Sequence, residues 1–310
     1  MKILVTGGAG FIGSQVAEGY VKQGWEVVVI DDLSTGYREN LPNGVKFYLM
    51  DIREADLDRI FQEERFDLVN HHAAQIDVRF SARDPLKDAS INILGPLNLL
   101  ELCRKYRVKK FIFSSTGGAI YGEQEIFPAP EEHPLRPLSP YGVAKLAVER
   151  YLYFYHKEYG LNAISLRYAN VYGPKQNPYG EAGVIAIFTH RLLSDEPVFI
   201  NGDGFQTRDY VYVGDVVKAN LLATNLEGFH ILNIGTGIET DVLTLFNHLS
   251  SITSKRQEPQ FRPLPPGEQR RSCLDATLAY RIMGWRAETP LYEGLRETVQ
   301  FFSQAQAFAH

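Results

Sequence analysis

The chain is 310 residues long, with 32 basic and 37 acidic side chains, a formal net charge of −5 and 45% hydrophobic residues. Such a balance suits a folded soluble chain, offers no cationic surface to nucleic acid and holds no apolar run near the ~18 residues of a membrane span. Two cysteines, Cys103 and Cys273, make neither a disulfide framework nor a metal-ligand set, and an opening that enters a strand at once points to a cytoplasmic protein.

From the N-terminus, β-branched runs alternate with helical periodicity. Strands are predicted at KILVTG (2–7), EVVVID (26–31), VKFYLMD (45–51), DLVNHHAA (67–74) and KKFIFSS (109–115). Helices are predicted between them at IGSQVAEGYVKQG, EADLDRIFQEE and NILGPLNLLELCRKY, where apolar residues recur three or four apart. Short, continuously apolar strands belong to a parallel sheet covered on both faces. The expected class is therefore α/β, a Rossmann-like doubly wound parallel sheet. A helix is predicted from Ser139 to Tyr159, then a strand at NAISLRYANVYG (162–173).

Beyond Gly173 the pattern loosens. VIAIFTHRLL (184–193) reads as a helix, RDYVYVGDVVKANLLAT (208–224) as another, and FHILNIGTG (229–237) as a last strand of the sheet. A helix near Asp241 to Ile252 precedes the proline-rich RPLPPG and two further short helical stretches. The expected division is a nucleotide-binding domain of residues 1–173 with about 209–236, and a smaller interleaved domain of 174–208 and 237–310. Five prolines between Pro128 and Pro140 mark a stiff connection rather than a linker.

Gly7, Gly10 and Gly13 lie in TGGAGFIGS, between a predicted strand and a predicted helix. A tight turn, close approach of a pyrophosphate and close helix packing all favour residues without a Cβ. The helix start then offers free N–H groups to phosphate. Asp31 ends the second strand, where a carboxylate accepts from a ribose 2′-hydroxyl and repels a 2′-phosphate, so NAD is expected over NADP. Asp51, ending the third strand, is placed either at the adenine or in a solvated loop.

SPYGVAK sets Tyr141 and Lys145 four residues apart, behind a Ser139 cap and Pro140 in the first turn. Both project from one helix face. A nearby ammonium favours the phenolate of a tyrosine otherwise too weakly acidic to serve as a base. Ser114, Ser115 and Thr116 close the fifth strand at the sheet's carboxyl edge, where a hydroxyl could hold a substrate oxygen. Gly117 and Gly118 leave room beside them. Adjacent His71 and His72 point to opposite faces of a strand and form no metal pair; no metal is expected.

Taken together and in order, GGAGFIG, DDLSTG, HHAAQIDV, NILGPLNLL, FIFSSTGGAIYG, SPYGVAK, LRYANVYGP, NGDGFQTRDYVYVGDVV and LNIGTG resemble the extended short-chain dehydrogenase/reductase family, most closely its nucleotide-sugar 4-epimerase members. The resemblance implies an NAD-dependent enzyme that inverts carbon 4 of a UDP-hexose, N-acetylated forms included, and that pairs as a homodimer through helices such as the one carrying YLYFYHKEY. It assigns Tyr141 as general base, Lys145 as its electrostatic partner and Thr116 as the hydroxyl holding the sugar's 4-oxygen, with Ser115 as the fallback. Around NAD it places Gly7, Gly10, Phe11, Ile12 and Gly13, then Asp31, Asp32, Ser34, Thr35 and Gly36. Asp51, Ile52, Ala73, Ala74, Gln75, Asn92, Ser114 and Tyr168 complete that set, together with Tyr141 and Lys145. Asn170 and Arg208 would face the diphosphate, with Val184 and Glu268 near the uridine; the plainer alternative for Arg208 is a salt bridge to Asp209 or Asp215.

Three departures stand out. SSTGGAIYG is one residue longer than the usual strand-end motif. Pro265 replaces a common arginine, leaving Arg262, Arg270 or Arg271 as substitutes. Ser272 falls where some members carry a tyrosine, which leaves space for an N-acetyl group. Gly117 and Gly118, in place of an acid–base pair, speak against a dehydratase, and a missing glutamate speaks against a decarboxylase. A UDP-glucuronate 4-epimerase would need a cation such as Arg79 or Lys175 at the sugar's carbon 6. A non-catalytic NAD-sensing protein is the remaining alternative.

Overall fold

The computed structural model describes residues 1–179, 183–264 and 269–307, with side chains through 304. In chain order come β1 (Lys2–Thr6), α1 (Phe11–Lys22), β2 (Glu26–Asp31), β3 (Lys46–Leu49), α2 (Leu57–Glu64) and β4 (Leu68–His71). They are followed by α3 (Val78–Arg83), α4 (Pro85–Ala89), a π-helical stretch at Ser90–Leu94, α5 (Gly95–Tyr106) and β5 (Lys110–Thr116). Next are α6 (Gly117–Ile120), α7 (Pro140–Tyr159), β6 (Asn162–Tyr168), β7 (Asn170–Tyr172), α8 (Val184–Leu193) and β8 (Phe199–Asn201). The rest comprises β9 (Thr207–Tyr212), α9 (Val213–Ala223), β10 (Phe229–Ile234), β11 (Glu239–Asp241), α10 (Val242–Thr253), β12 (Gln260–Arg262), α11 (Thr277–Met283) and α12 (Leu291–Ala307).

Seven strands form one sheet in the order β10-β6-β5-β4-β1-β2-β3, every pairing parallel. Alternation along the strands explains why both faces are covered. Leu4, Val28, Val69 and Phe113 share a core with Phe61, Leu99 and Leu152 from α2, α5 and α7. Ile3, Val5, Val29 and Ile164 share another with Val16, Tyr20, Val216 and Ala219 from α1 and α9. Each such buried side chain contributes about 1.5–3 kcal/mol. The strand order reverses between β1 and β4, which opens the crevice at their carboxyl ends. A third core joins α8, α10 and α12 to β8 and β9 through Phe188, Leu245, Ile200 and Leu295.

Three expectations are corrected, the first being a single strand over 162–173, since β6 stays in the main sheet and β7 pairs with β9 in a three-stranded one. Residues 208–224 are not one helix: Thr207–Tyr212 is a strand, β9, and the helix begins at Val213. The alternation of DYVYV lets β9 pair with both β7 and β11, and that pairing outweighs its continuity with the helical run. Of the two short helical stretches expected near the C-terminus, the second is the 17-residue α12. The proline-rich connection is also pinned inward, since Ala129 exchanges backbone hydrogen bonds with Cys273 and Asp275, both 2.9 Å, over a small core of Tyr121, Ala129 and Leu274.

Glu64, on α2, fastens the sheet's opposite edge. Its carboxylate lies 2.5 Å from Lys2 Nζ and accepts from Tyr48 at 2.6 Å and from Lys46. Burial alone would raise its pKa, but these partners draw it from 4.5 down to about 2. The stabilisation is therefore whole above about 4.5 and is lost as pH falls through about 2. Glu64→Gln is expected to flatten the acid limb of stability in that window, read as melting temperature against pH.

Candidate active site

The turn after β1 has the shape its glycines require. Gly7 has φ +68°, and a Cβ there would lie 2.5 Å from Ala73 N; at Gly13 it would lie 2.2 Å from Gly7 O. Gly10 caps α1 with no side-chain hydrogen bond and no acid follows in the first turn, so the amides of Phe11, Ile12 and Gly13 face the turn. A close backbone cradle at an uncapped helix start fits a pyrophosphate. Gly13→Ala should destabilise the fold by about 1–3 kcal/mol through this clash, measured as the denaturant midpoint of the cofactor-stripped protein.

Asp31 lies beside this cradle. Its Oδ2 accepts from Ala9 N at 2.9 Å and its Oδ1 from Leu33 N at 2.8 Å. Burial pushes its carboxyl up, and those two amides oppose the shift. Each oxygen keeps a lone pair for a ribose hydroxyl. Asp32 accepts from Ser34 N at 2.9 Å and Ser34 Oγ at 2.6 Å, which bends the exposed loop that carries Thr35. Gly36 fits under it because a Cβ would lie 2.8 Å from Ala9 C. Asp51 is engaged by Arg53, whose Nε lies 2.9 and 3.1 Å from its oxygens and holds its carboxyl below the usual range. Ile52 is buried in the core beside it.

Across the crevice, Ala73, Ala74 and Gln75 leave β4. Asn92 holds that loop with both ends of its amide, accepting from Gln75 N at 2.9 Å and donating to Gln75 O at 2.8 Å. His71 and His72 do face opposite ways: His71 bonds Thr6 Oγ1 at 2.7 Å and stacks on Phe113, whereas His72 stacks on Tyr168. The Tyr168 hydroxyl accepts from Asn220 Nδ2 at 2.9 Å and lies against Ser114.

The start of α7 reaches the end of β5 through Lys145. Ser139 Oγ accepts from Gly142 N at 3.1 Å, and Pro140 opens the helix. Lys145 is buried and donates from Nζ to Ser114 O at 2.9 Å, with Nζ 5.7 Å from the Tyr141 ring centroid. Burial pulls the Lys145 ammonium down to about 8, with Asp88 and Glu149 opposing the shift. Burial also pushes the Tyr141 phenol up, and the charge of Asp88 adds to that. Lys145 is thus the cation beside a phenol that burial makes harder to ionise.

Ser115 and Thr116 divide the two roles open to a strand-end hydroxyl. Ser115 Oγ is buried and donates to Glu149 Oε1 at 2.8 Å. Thr116 Oγ1 instead borders the open side, 3.8 Å from where a Cβ on Gly118 would stand; Asn170 Oδ1 lies 3.9 Å from the same point. Thr116, Gly118 and Asn170 therefore line one opening. Gly117 faces inward, where a Cβ would strike Leu274 at 2.4 Å.

The remaining predicted residues are more scattered. Arg208, on β9, donates to Thr207 O at 2.8 Å, and no carboxylate pairs with it among the described residues. Asp209 is occupied by Thr236, Gly237 and Leu274 amides, and Asp215 by Thr289 N. Val184 opens α8 against the third core. Ser272 is buried and donates from its backbone to Thr207 O at 3.2 Å. Glu268 and Pro265 lie outside the described residues. Of the substitute arginines, Arg262 stacks on Phe199, Arg271 pairs with Glu239 at 2.6 Å, and Arg270 is 3.6 Å from Asp203.

Two residues that the sequence did not single out, Glu149 and Asp88, lie near α7 and its sheet partners, and Asp209 has a part other than the Arg208 salt bridge expected as one alternative. Glu149 extends the Tyr141–Lys145 spacing by another four residues and pairs with buried Arg167 at 2.7 Å. Asp88 is carried by α4, which packs on the same helix, and Asp209 ties β9 to the segments after β10 and at Leu274. The i, i+4, i+8 spacing of Glu149 was the signal in reach for it; the role of Asp88 depends on tertiary contacts.

Comparison with known proteins gives a consistent set of likenesses. Residues 3–235 match the model of the NAD dependent epimerase/dehydratase family. A UDP-glucose 4-epimerase of Mycolicibacterium smegmatis is 42% identical over 97% of this chain and 98% of that protein. The crystal structure of UDP-glucose 4-epimerase from Thermotoga maritima with UDP-glucose superposes with a TM-score of 0.97 at 52% identity, over 99% of this chain and 100% of that one. The Thermus thermophilus UDP-glucose 4-epimerase in complex with NAD gives 0.92 at 46% identity, over 98% and 100%.

Proposed function

This chain belongs to the NAD dependent epimerase/dehydratase family, and on that footing we infer that it is an NAD-dependent isomerase inverting carbon 4 of a UDP-hexose, with UDP-glucose and UDP-galactose as the pair interconverted. The observation that supports this assignment is that Lys145, beside the Tyr141 ring, is bonded to Ser114 O at the end of the strand that also carries Thr116, in a sheet whose first turn is a glycine cradle followed by the strand-end carboxylate of Asp31.

NAD would be held by the amides of residues 11–13, by Asp31 and by Lys145, and when bound it supplies a hydride acceptor and donor at the sugar's carbon 4. The chain's own part is acid–base and positional. Tyr141 takes the proton of the 4-hydroxyl and returns it at the end of the cycle. Lys145 stabilises the phenolate, and its bond to Ser114 O fixes its ammonium at the strand end. Thr116 orients the 4-oxygen, and the absence of a side chain at Gly118 leaves space for the hexose to present either face. Arg208, without a carboxylate partner among the described residues, is available to a diphosphate.

A uronic-acid substrate is disfavoured at one of its two candidate cations. Lys175 already donates to Asn40 O at 3.1 Å and lies 3.9 Å from Glu18. A homodimer through the exposed aromatic face of α7, formed by Tyr151, Tyr153, Phe154 and Tyr159, fits the same assignment, as do a cytoplasmic setting and a place in galactose metabolism. Among the described residues no helix is long and apolar enough to cross a membrane.

The test is direct. Purified protein is incubated without added cofactor with UDP-galactose, UDP-N-acetylgalactosamine and UDP-galacturonate in turn, and products are followed by proton NMR. Conversion of UDP-galactose to UDP-glucose is the expected result. Turnover of the uronate alone would overturn the substrate assignment.

A further inference from the structure

Lys145 and Glu149 stand about one turn apart on α7, and their side chains hold consecutive residues at the end of β5. Lys145 Nζ donates to Ser114 O at 2.9 Å, and Glu149 Oε1 accepts from Ser115 Oγ at 2.8 Å. The next residue along the strand is Thr116. The same Oε1 accepts from Ser165 Oγ at 2.9 Å and from Arg167 Nε at 3.0 Å, while Oε2 accepts from Arg167 Nη2 at 2.7 Å. Both serines are buried. β5 and β6 pair with Ser115 opposite Arg167 and Phe113 opposite Ser165, so the three donors share the sheet face that α7 covers. The charge of Glu149 is balanced by Arg167, and Arg167 and Ser165 already fasten α7 to β6. Neutralising the carboxylate therefore does not require Ser115. What the Ser115 bond adds is a tie from α7 to β5, one residue before Thr116.

We propose that Ser115 is a positioning residue, its hydroxyl pinning β5 to Glu149 so that Tyr141 on α7 and Thr116 on β5 keep the spacing proton transfer needs, without touching the sugar. This role rests on Tyr141 being the base of the epimerase described above. With ties at two adjacent strand residues, α7 can neither slide along β5 nor pivot about the single Lys145 bond. Displacements of about 1 Å in a reacting pair cost up to about a hundredfold in rate, so a second tie at this point has a use that stability alone does not give it. Ser165 supplies the control. It bonds the same carboxylate oxygen with the same chemistry, but from β6 and level with Phe113, two residues back from Ser115. A bond that only stabilises the fold counts alike at either serine; one that sets the site counts at Ser115 alone.

The experiment compares the parent with Ser115→Ala and Ser165→Ala, each purified with the cofactor it retains. Denaturant midpoints are measured, with kcat and KM for UDP-galactose. The Tyr141 ring is followed by carbon-13 tyrosine NMR, assigned by its loss in Tyr141→Phe. Both variants are expected to lose similar stability, since each removes one hydrogen bond to Glu149. Ser115→Ala is expected to lower kcat by about ten- to hundredfold with KM little changed, and to shift the Tyr141 resonance. Ser165→Ala is expected to leave kcat and that resonance at their parent values. Equal effects of the two variants on kcat, or none from Ser115→Ala, would overturn the proposal. A further comparison separates positioning from direct contact with the sugar. In an Arg167→Met, Glu149→Leu background the serine has lost its partner, so Ser115→Ala is expected to change kcat no further; a full loss there would also overturn the proposal. A parent that leaves every UDP-sugar unchanged would instead refute the epimerase assignment, and the Tyr141 resonance in the two serine variants would still decide the role of Ser115.

Discussion

Tyr141→Phe is expected to slow conversion of UDP-galactose by about 10²- to 10⁴-fold, the range usual for loss of a general acid–base group. The substitution removes one oxygen from the first turn of α7 and leaves the ring, which Lys145 approaches to 5.7 Å, in place. Neither the Ser139 cap nor the Lys145–Ser114 bond involves that oxygen. The fold should therefore be unchanged, and NAD should still bind, which separates lost chemistry from lost structure. The comparison to make is kcat at saturating substrate, with bound cofactor quantified in the same samples. Thr116→Val should lower kcat less, because the threonine orients the oxygen but does not accept its proton. A phenylalanine variant as fast as the parent would mean that another group is the base.

Arg167→Met carries the largest expected loss of stability. The Arg167 and Glu149 side chains are 2% and 0% exposed. Glu149 accepts from Arg167 at 2.7 and 3.0 Å, from Ser115 at 2.8 Å and from Ser165 at 2.9 Å. Arg167 Nη1 also donates to the Tyr121 hydroxyl at 2.9 Å. Removing the guanidinium strands a carboxylate between α7 and the sheet, at a cost of about 3–5 kcal/mol. Replacing both members, as in Arg167→Met with Glu149→Leu, should recover much of it, because no uncompensated charge remains. Denaturant midpoints of the two variants measured side by side would show this. A single variant within about 1 kcal/mol of the parent would mean that water reaches the pair.

Most of the nucleotide half could be read from local pattern. Short apolar strands, the Gly7–Gly13 spacing, Asp31 at a strand end and the Ser139–Pro140 helix start are each set by neighbours in the chain, and the structure has each where the pattern put it. What escaped depends on distant partners. β9 was hidden inside a helical run because its strand character comes from pairing with Val171 on one side and Thr240 on the other. The ambiguity between Ser115 and Thr116 could not be resolved by counting along the motif. What bears on it is Glu149, 34 residues further on, which takes the serine hydroxyl. Asn92 showed up as a cofactor residue by resemblance, yet its amide is occupied by Gln75 and Asp88. Asp88 itself lies in an ordinary surface-like string, DPLKDAS, and only the packing of α4 on α7 makes it unusual.

The outermost strand of the main sheet, residues 229–234, comes from beyond the stretch that carries every other strand of that sheet. During synthesis Ile164, Leu166 and Tyr168 must wait beside a vacant rim until most of the polypeptide has emerged. A nascent chain halted near Gly173 would present that rim as a template for pairing with other chains. The first half is accordingly a poor candidate for excision as a free-standing nucleotide-binding module, however self-sufficient its motifs look.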